Sequence, residues 1–250
     1  MTRQRVLIAV ASVLGAVVVA VGGLYAYIAF SNRDAPPPAA LTPQTAIPSG
    51  ASGGGVALGS GTAAAGSCDT AAVDGTWTVS PDGTSFAGYR VTEKLASLPA
   101  RSDAVGRTSA VTGSMSLGGT SVASAKFEAD LTKLTSNEQR RDNFIRHDGL
   151  ESSTFPTATF TLASPLALGG IPAQGSSLSV KAQGSLTLHG VTRTVTMDLQ
   201  GQRTCAGLEV VGSVPISFAD YSMSAPSIGG FVSVDDHGTM EVKLELVRSK

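Results

Sequence analysis

The chain has 250 residues, a formal net charge of −1, 15% charged and 5% aromatic residues, 29 glycines and two cysteines. No basic excess exists to neutralise phosphates, which argues against a nucleic-acid partner. The cysteines lack CxxC spacing and neither lies near a cationic helix start, which argues against an activated thiol.

In chain order, residues 1–5 carry Arg3 and Arg5 and read as a cytoplasmic N-terminus. Residues 6–30 follow without a charge. That run exceeds the roughly 20 helical residues a hydrocarbon core requires and the about 7–15 apolar residues of a secretory signal, so a retained membrane anchor is the reading preferred over a cleaved signal. Arg33 is offset by Asp34, so the positive-inside rule leaves everything after Phe30 outside the cytoplasm. Residues 31–67 hold Pro36-Pro37-Pro38, Pro43, Pro48 and Gly53-Gly54-Gly55 with few large apolar side chains. Such a segment is expected to be a disordered tether, reaching on the order of 35 Å as a flexible coil. Residues 68–250 form the folded domain. Cys68 ends the tether and Cys205 falls between two predicted strands; outside the cytosol the pair is expected to form one structural disulfide.

Within that domain, apolar residues recur with a period of two. Leu178, Val180, Ala182, Gly184, Leu186 and Leu188 alternate with polar residues, His189-Gly190 turns the chain, and Val191, Val195, Met197 and Leu199 resume the pattern. This is a β-hairpin with one apolar face. The same period at Ala123/Ala125/Phe127/Ala129/Leu131, Ala158/Phe160/Leu162, Leu208 to Ile216 and Met240 to Leu246 predicts further strands. With Trp77–Val79, Ser85–Val91 and Ser109–Leu117 the set is nine. Their length and consistent inner face favour an antiparallel β-barrel over a sandwich. The polar stretch Asn137–Leu150 reads as one or two helical turns capping an open end.

Three segments then carry a family resemblance. Gln139-Arg140-Arg141-Asp142-Asn143-Phe144-Ile145, Phe155-Pro156-Thr157-Ala158-Thr159-Phe160, and Gly184 to Val195 with Leu186-Thr187 and Gly190-Val191-Thr192-Arg193 resemble, in order and spacing, the motifs of the YceI-like family of lipocalin-like proteins. The resemblance covers roughly Asp74 to Val247. It implies an extended antiparallel barrel with an elongated apolar cavity that binds polyisoprenoid or other long-chain lipids outside the cytoplasm. Many members carry His where this chain has Phe144, which suggests an apolar plug at the cavity mouth here.

On that reading the cavity-lining candidates are Phe86, Tyr89, Phe127, Phe144, Phe160, Leu186, Leu188, Met197, Phe218 and Met240. Small inward residues, Ala123, Ala125, Ala129, Ala158, Ala182 and Gly184, would leave volume for a guest whose buried CH2 groups each contribute about 0.8 kcal/mol. The opposing reading is a solid core in a cell-envelope interaction module, since small barrels are usually filled by side chains. Arg141-Asp142 serve either a lipid head group or a local ion pair and helix cap. His147, His189 and His237 show no metal-ligand spacing and read as solvated turn residues. No G-x-S-x-G elbow or acid/base pair points to catalysis, and no cofactor is expected. The expected partners are a long-chain lipid and the membrane holding the anchor.

Overall fold

A computed structural model describes residues 35–44, 73–82, 84–95, 101–228 and 232–249. The expected anchor at residues 6–30, most of the tether and Cys68 lie outside the described residues. Among those described, no helix is long and apolar enough to cross a membrane.

The strands are β1 (Gly75–Val79), β2 (Phe86–Leu95), β3 (Arg101–Thr108), β4 (Val111–Gly118), β5 (Ser121–Asp130), β6 (Thr135–Ser136), β7 (Thr157–Leu162), β8 (Leu166–Ala167), β9 (Ser177–Leu188), β10 (Val191–Arg203), β11 (Leu208–Ser217), β12 (Ser227–Ile228) and β13 (Val232–Arg248). All pair antiparallel. Eight of them, β1-β4-β5-β7-β9-β10-β11-β13, form a circuit that closes when Trp77 of β1 pairs with Arg248 and Val79 with Leu246 of β13. Closure removes the edges of these eight strands. The 17-residue β13 reaches beyond β1 and pairs along its first part with β2, which in turn pairs with β3.

The central hairpin follows the expected register, with Val191 opposite Leu188 and Met197 opposite Ala182. Its turn residues His189 and Gly190 have φ of 50° and 72°. Positive φ at both central positions is the type I′ geometry whose twist matches the strands. The turn is held from outside: His189 Nδ1 lies 3.0 Å from the Tyr221 carbonyl, and the Phe155 and His189 rings are 4.5 Å apart. A Cβ at Gly190 would lie 2.7 Å from the Phe155 ring. The second and third sequence motifs therefore meet at one end of the barrel.

Three local expectations change. β3 lies outside the nine expected strands and carries no alternation; opposite Tyr89 it has Gly106, where a Cβ would lie 2.5 Å from the Tyr89 ring, so the aromatic of β2 fills the space β3 gives up. The alternating set Ala123/Ala125 breaks at a bulge between Ser116/Leu117 and their partners Ser124/Val122. The extra residue shifts the phase, leaving Ala123 exposed and Val122 buried. The stretch 137–150 is helical as expected, α1 (Gln139–Phe144) followed by one wider turn over Ile145–Gly149 that closes with Leu150 N–H donating to the Ile145 carbonyl at 3.0 Å.

The third change concerns the tether. Residues 35–44 are extended and held against the outer wall of the barrel, with Thr42 N–H donating to Glu209 at 3.0 Å and Arg90 donating to the Pro36 carbonyl at 2.7 Å. For these ten residues the expectation of disorder fails. Composition shows that a segment lacks apolar side chains of its own, but not that a folded wall supplies hydrogen bonds to its backbone.

Candidate functional site

The interior is filled unevenly. At the end carrying the β9–β10 turn, Leu131, Leu134, Leu150, Leu188, Ile216 and Tyr221 pack into a buried cluster beneath the helical cap. A second cluster, with Trp77, Met115, Leu117, Val122, Leu244 and Leu246, lines the wall toward the other end. Between and beyond them lies a cavity of about 190 Å³. It runs from Val214 and Met240 to Leu168, Ile171 and Pro172 in the connection between β8 and β9, and its wall is almost wholly apolar.

The alternation of each strand positions this lining. Ala182 and Leu186 project from β9, Met197 and Leu199 from β10, Val210 and Val214 from β11, and Met240, Val242 and Leu244 from β13. Phe127 of β5 and Phe160 of β7 are register partners and both face the space. Phe160 rests over Gly184, where a Cβ would overlap its ring. Gly184 is thus a seat for an aromatic ring, not vacant volume. Ala125, Ala129, Ala158 and Ala182 do line the cavity. Three methionines, Met115, Met197 and Met240, add side chains that rearrange at low cost.

Of the ten residues singled out from the sequence, Phe127, Phe160, Leu186, Met197 and Met240 line the cavity. Tyr89 and Leu188 are buried in the closed-end cluster, and Phe218 packs against its edge. Phe86 is outside the lining, with the Arg107 guanidinium 4.1 Å above its ring. Phe144 is half-buried on α1 beside Gly149, at the closed end. It is not among the residues lining the cavity, whose far rim holds Leu166, Leu168, Ile171 and Pro172. Leu166 lies in the two-residue β8 and Leu168, Ile171 and Pro172 in the irregular connection after it; their clustering of apolar side chains between β7 and β9 was the available signal.

The Arg141-Asp142 pair fastens the cap. Arg141 forms a two-pronged pair with Glu93 of β2, at 3.2 Å for each nitrogen, and donates to Asn137 at 2.9 Å. Asp142 accepts from the N–H and hydroxyl of Ser136 at 2.8 and 2.6 Å. Neither residue lines the cavity. The hydroxyls of Tyr89 and Tyr221 are buried without a hydrogen-bond partner. Burial pushes both phenols up, that of Tyr89 against the pull of Arg141, so both stay neutral at physiological pH. Among the described residues no group of three His, Cys, Asp or Glu is placed to hold a metal ion. Such a site offers volume, apolar surface and shape, and it acts on a guest by burial.

Cys205 lies in the turn between β10 and β11, its sulfur 3.1 Å from Gln174 Nε2 in the loop that carries the rim.

Comparison with known proteins places this architecture. A model of the YceI-like domain matches residues 77–246, and the chain belongs to that family. UPF0312 proteins from two strains of Vibrio vulnificus are each 29% identical over 141 residues, covering 53% of this chain and 71% of theirs. Among solved structures, a polyisoprenoid binding domain from Saccharophagus degradans aligns at 21% identity and a TM-score of 0.47, covering 68% of this chain and 98% of that one. BcnA from Burkholderia cenocepacia aligns at 19% identity and a TM-score of 0.46, covering 63% and 94%.

Proposed function

We propose that this chain, as a member of the YceI-like family, is a non-enzymatic carrier that holds a polyisoprenoid or similar long-chain amphiphile in its barrel, outside the cytoplasm and tethered through residues 6–30. The observation that carries the reading is the apolar cavity of about 190 Å³ in a barrel of a size usually filled by side chains. A cavity of about 150 Å³ with similar walls is enough to stay dry and take up benzene. This one accepts a ring or a five-carbon unit as it stands. A longer chain extends through the rim at Leu168 and Ile171, or widens the space by moving the methionines.

The energetics favour such a guest over a polar one. Each buried CH2 contributes about 0.8 kcal/mol, so one five-carbon unit contributes about 4 kcal/mol with no polar contact. A carboxylate or phosphate inside the same wall would meet no compensating donor and is better left at the rim. The charge-free run at residues 6–30, with Arg3 and Arg5 before it, supports the tether and its orientation. In that compartment Cys205 pairs with Cys68, and the bridge fastens the start of the domain to the rim turn.

Native mass spectrometry of the chain purified from its own host's envelope tests the reading. A stoichiometric adduct lost on denaturation, with the mass of a long-chain lipid, is the expected result. A clean apo mass, repeated after incubation with an envelope lipid extract, would favour the solid-core interaction module instead. Fractionation separately tests the tether, which is wrong if the mature protein is soluble and begins after Phe30. The disulfide is checked by alkylation without reduction, which should modify neither cysteine.

A further inference from the structure

We propose that the outer wall of the barrel formed by β3, β2, β13, β11 and β10 is a second binding site, separate from the cavity, for an extended peptide of the pattern Pro-Pro-x4-Thr-x-Gln, and that residues 36–44 fill it in cis.

The site is built to complement a proline-rich backbone. Prolines lack an N–H, so a proline run presents only carbonyl acceptors. At the first half of the segment the wall offers only donors: Arg90 reaches the Pro36 carbonyl at 2.7 Å and Arg107 the Pro37 carbonyl at 2.5 Å. Both guanidiniums are aimed by one buried carboxylate, Glu241, at 2.7 and 3.3 Å, and its side chain is 5% exposed.

The polarity of the wall then reverses where that of the peptide does. Thr42 has both an N–H and a hydroxyl, and here the wall presents the Glu209 carboxylate, whose side chain is 2% exposed. It accepts from the Thr42 N–H at 3.0 Å and from the Thr42 hydroxyl at 2.8 Å. Gln202 donates to the Thr42 carbonyl at 2.8 Å, and Gln44 donates to the Arg203 carbonyl at 2.8 Å. A carboxylate buried on the outside of a barrel is costly unless paired, and nothing in a closed eight-stranded sheet requires one there. Lys243 pairs with Glu209 at 2.8 Å and Gln202 donates to it at 2.5 Å, and Thr42 of the segment adds two further donors.

Two further facts bear on the segment. The segment lies outside residues 77–246, the part matched to the YceI-like domain, so it is an addition to that architecture. Its prolines also preset an extended backbone, which lowers the ordering cost of docking, as in other proline-rich recognition. A segment tethered in cis competes at an effective concentration in the millimolar range, so a free peptide of the same pattern binds only when the cis segment is disabled.

The test uses the full chain in detergent. Amide exchange at Thr42 should be slowed more than ten-fold relative to an unstructured peptide, and exchange at the unstructured rate would overturn the proposal. A labelled peptide of residues 33–46 is then titrated into the wild-type chain and into a chain carrying Thr42→Pro, which removes the N–H and hydroxyl at an exposed position and leaves the wall intact. Saturable binding to the Thr42→Pro chain, at least ten-fold weaker binding to wild type, and none by a peptide that itself carries Thr42→Pro are expected. Equal binding by both peptides, equal binding to both chains, or binding to neither chain would each overturn it.

Discussion

Replacing Ala182 by Phe sets the cavity against a solid core in a single substitution. Ala182 is 1% exposed, pairs with Met197 across β9 and β10, and lines the cavity. The substitution adds a benzene ring's worth of carbon to a space of about 190 Å³, slightly larger than the roughly 150 Å³ known to accept benzene. If that space exists in solution, the ring fills it, and unfolding free energy changes by less than about 1 kcal/mol. In a solid core the same ring costs about 1–3 kcal/mol through displaced neighbours. The consequence for a bound lipid is larger. A ring occupying the place of one five-carbon unit removes about 4 kcal/mol of burial, a loss of about a thousand-fold in affinity. Urea unfolding and lipid retention by native mass spectrometry, on the same preparation, read both quantities. Unchanged lipid occupancy at unchanged stability would refute the assignment of the cavity, and destabilisation by about 1–3 kcal/mol or more would refute its existence as open space.

Gly184→Val should drive the Phe160 ring from its seat and cost about 1–3 kcal/mol; adding Phe160→Leu should recover part of that, and a strictly additive double mutant in urea unfolding would contradict the packing described. Arg141→Ala should cost about 1–3 kcal/mol, because the Arg141 and Glu93 side chains are only 12% and 16% exposed. Arg141→Lys should not restore it, since one ammonium cannot replace the two-pronged pair; lipid affinity should be unchanged in both, and a selective loss of binding would return the head-group role to this residue. Burial raises the Glu209 carboxyl, but hydrogen bonds from Lys243, Gln202 and Thr42 outweigh that and hold it below its ordinary 4.5. A carboxyl depressed in the folded state stabilises it fully above the unfolded value and loses that contribution as pH falls through the folded one. Protection of the Thr42 amide, corrected for intrinsic exchange, should therefore be flat from about pH 5 to 8 and decline only in acid below about pH 4; a decline near neutrality would assign the control to another group.

The barrel was legible because strand alternation and turn chemistry are local. Leu178 to Leu199 declares its hairpin, its apolar face and its turn without reference to any other part of the chain, and Phe127, Phe160, Leu186, Met197 and Met240 reach the cavity by the same parity. Parity fails where a neighbour decides. The bulge opposite Ser116 flips Ala123 to the surface, and Tyr89 makes Gly106 suffice in a strand that has no pattern of its own. Phe144 follows its helix to the closed end, because the Glu93 and Ser136 contacts of Arg141 and Asp142 fix where that helix sits. The docked segment is the extreme case. Residues 36–44 carry no periodicity, and their order comes from Arg90, Arg107, Gln202 and Glu209, four residues on four different strands that the sheet order β10-β11-β13-β2-β3 brings onto one wall. What a residue presents to solvent or core is written in its own neighbourhood in sequence; what complements it there is a matter of tertiary geometry, because hydrogen bonds and cavities are made between segments that the chain keeps far apart.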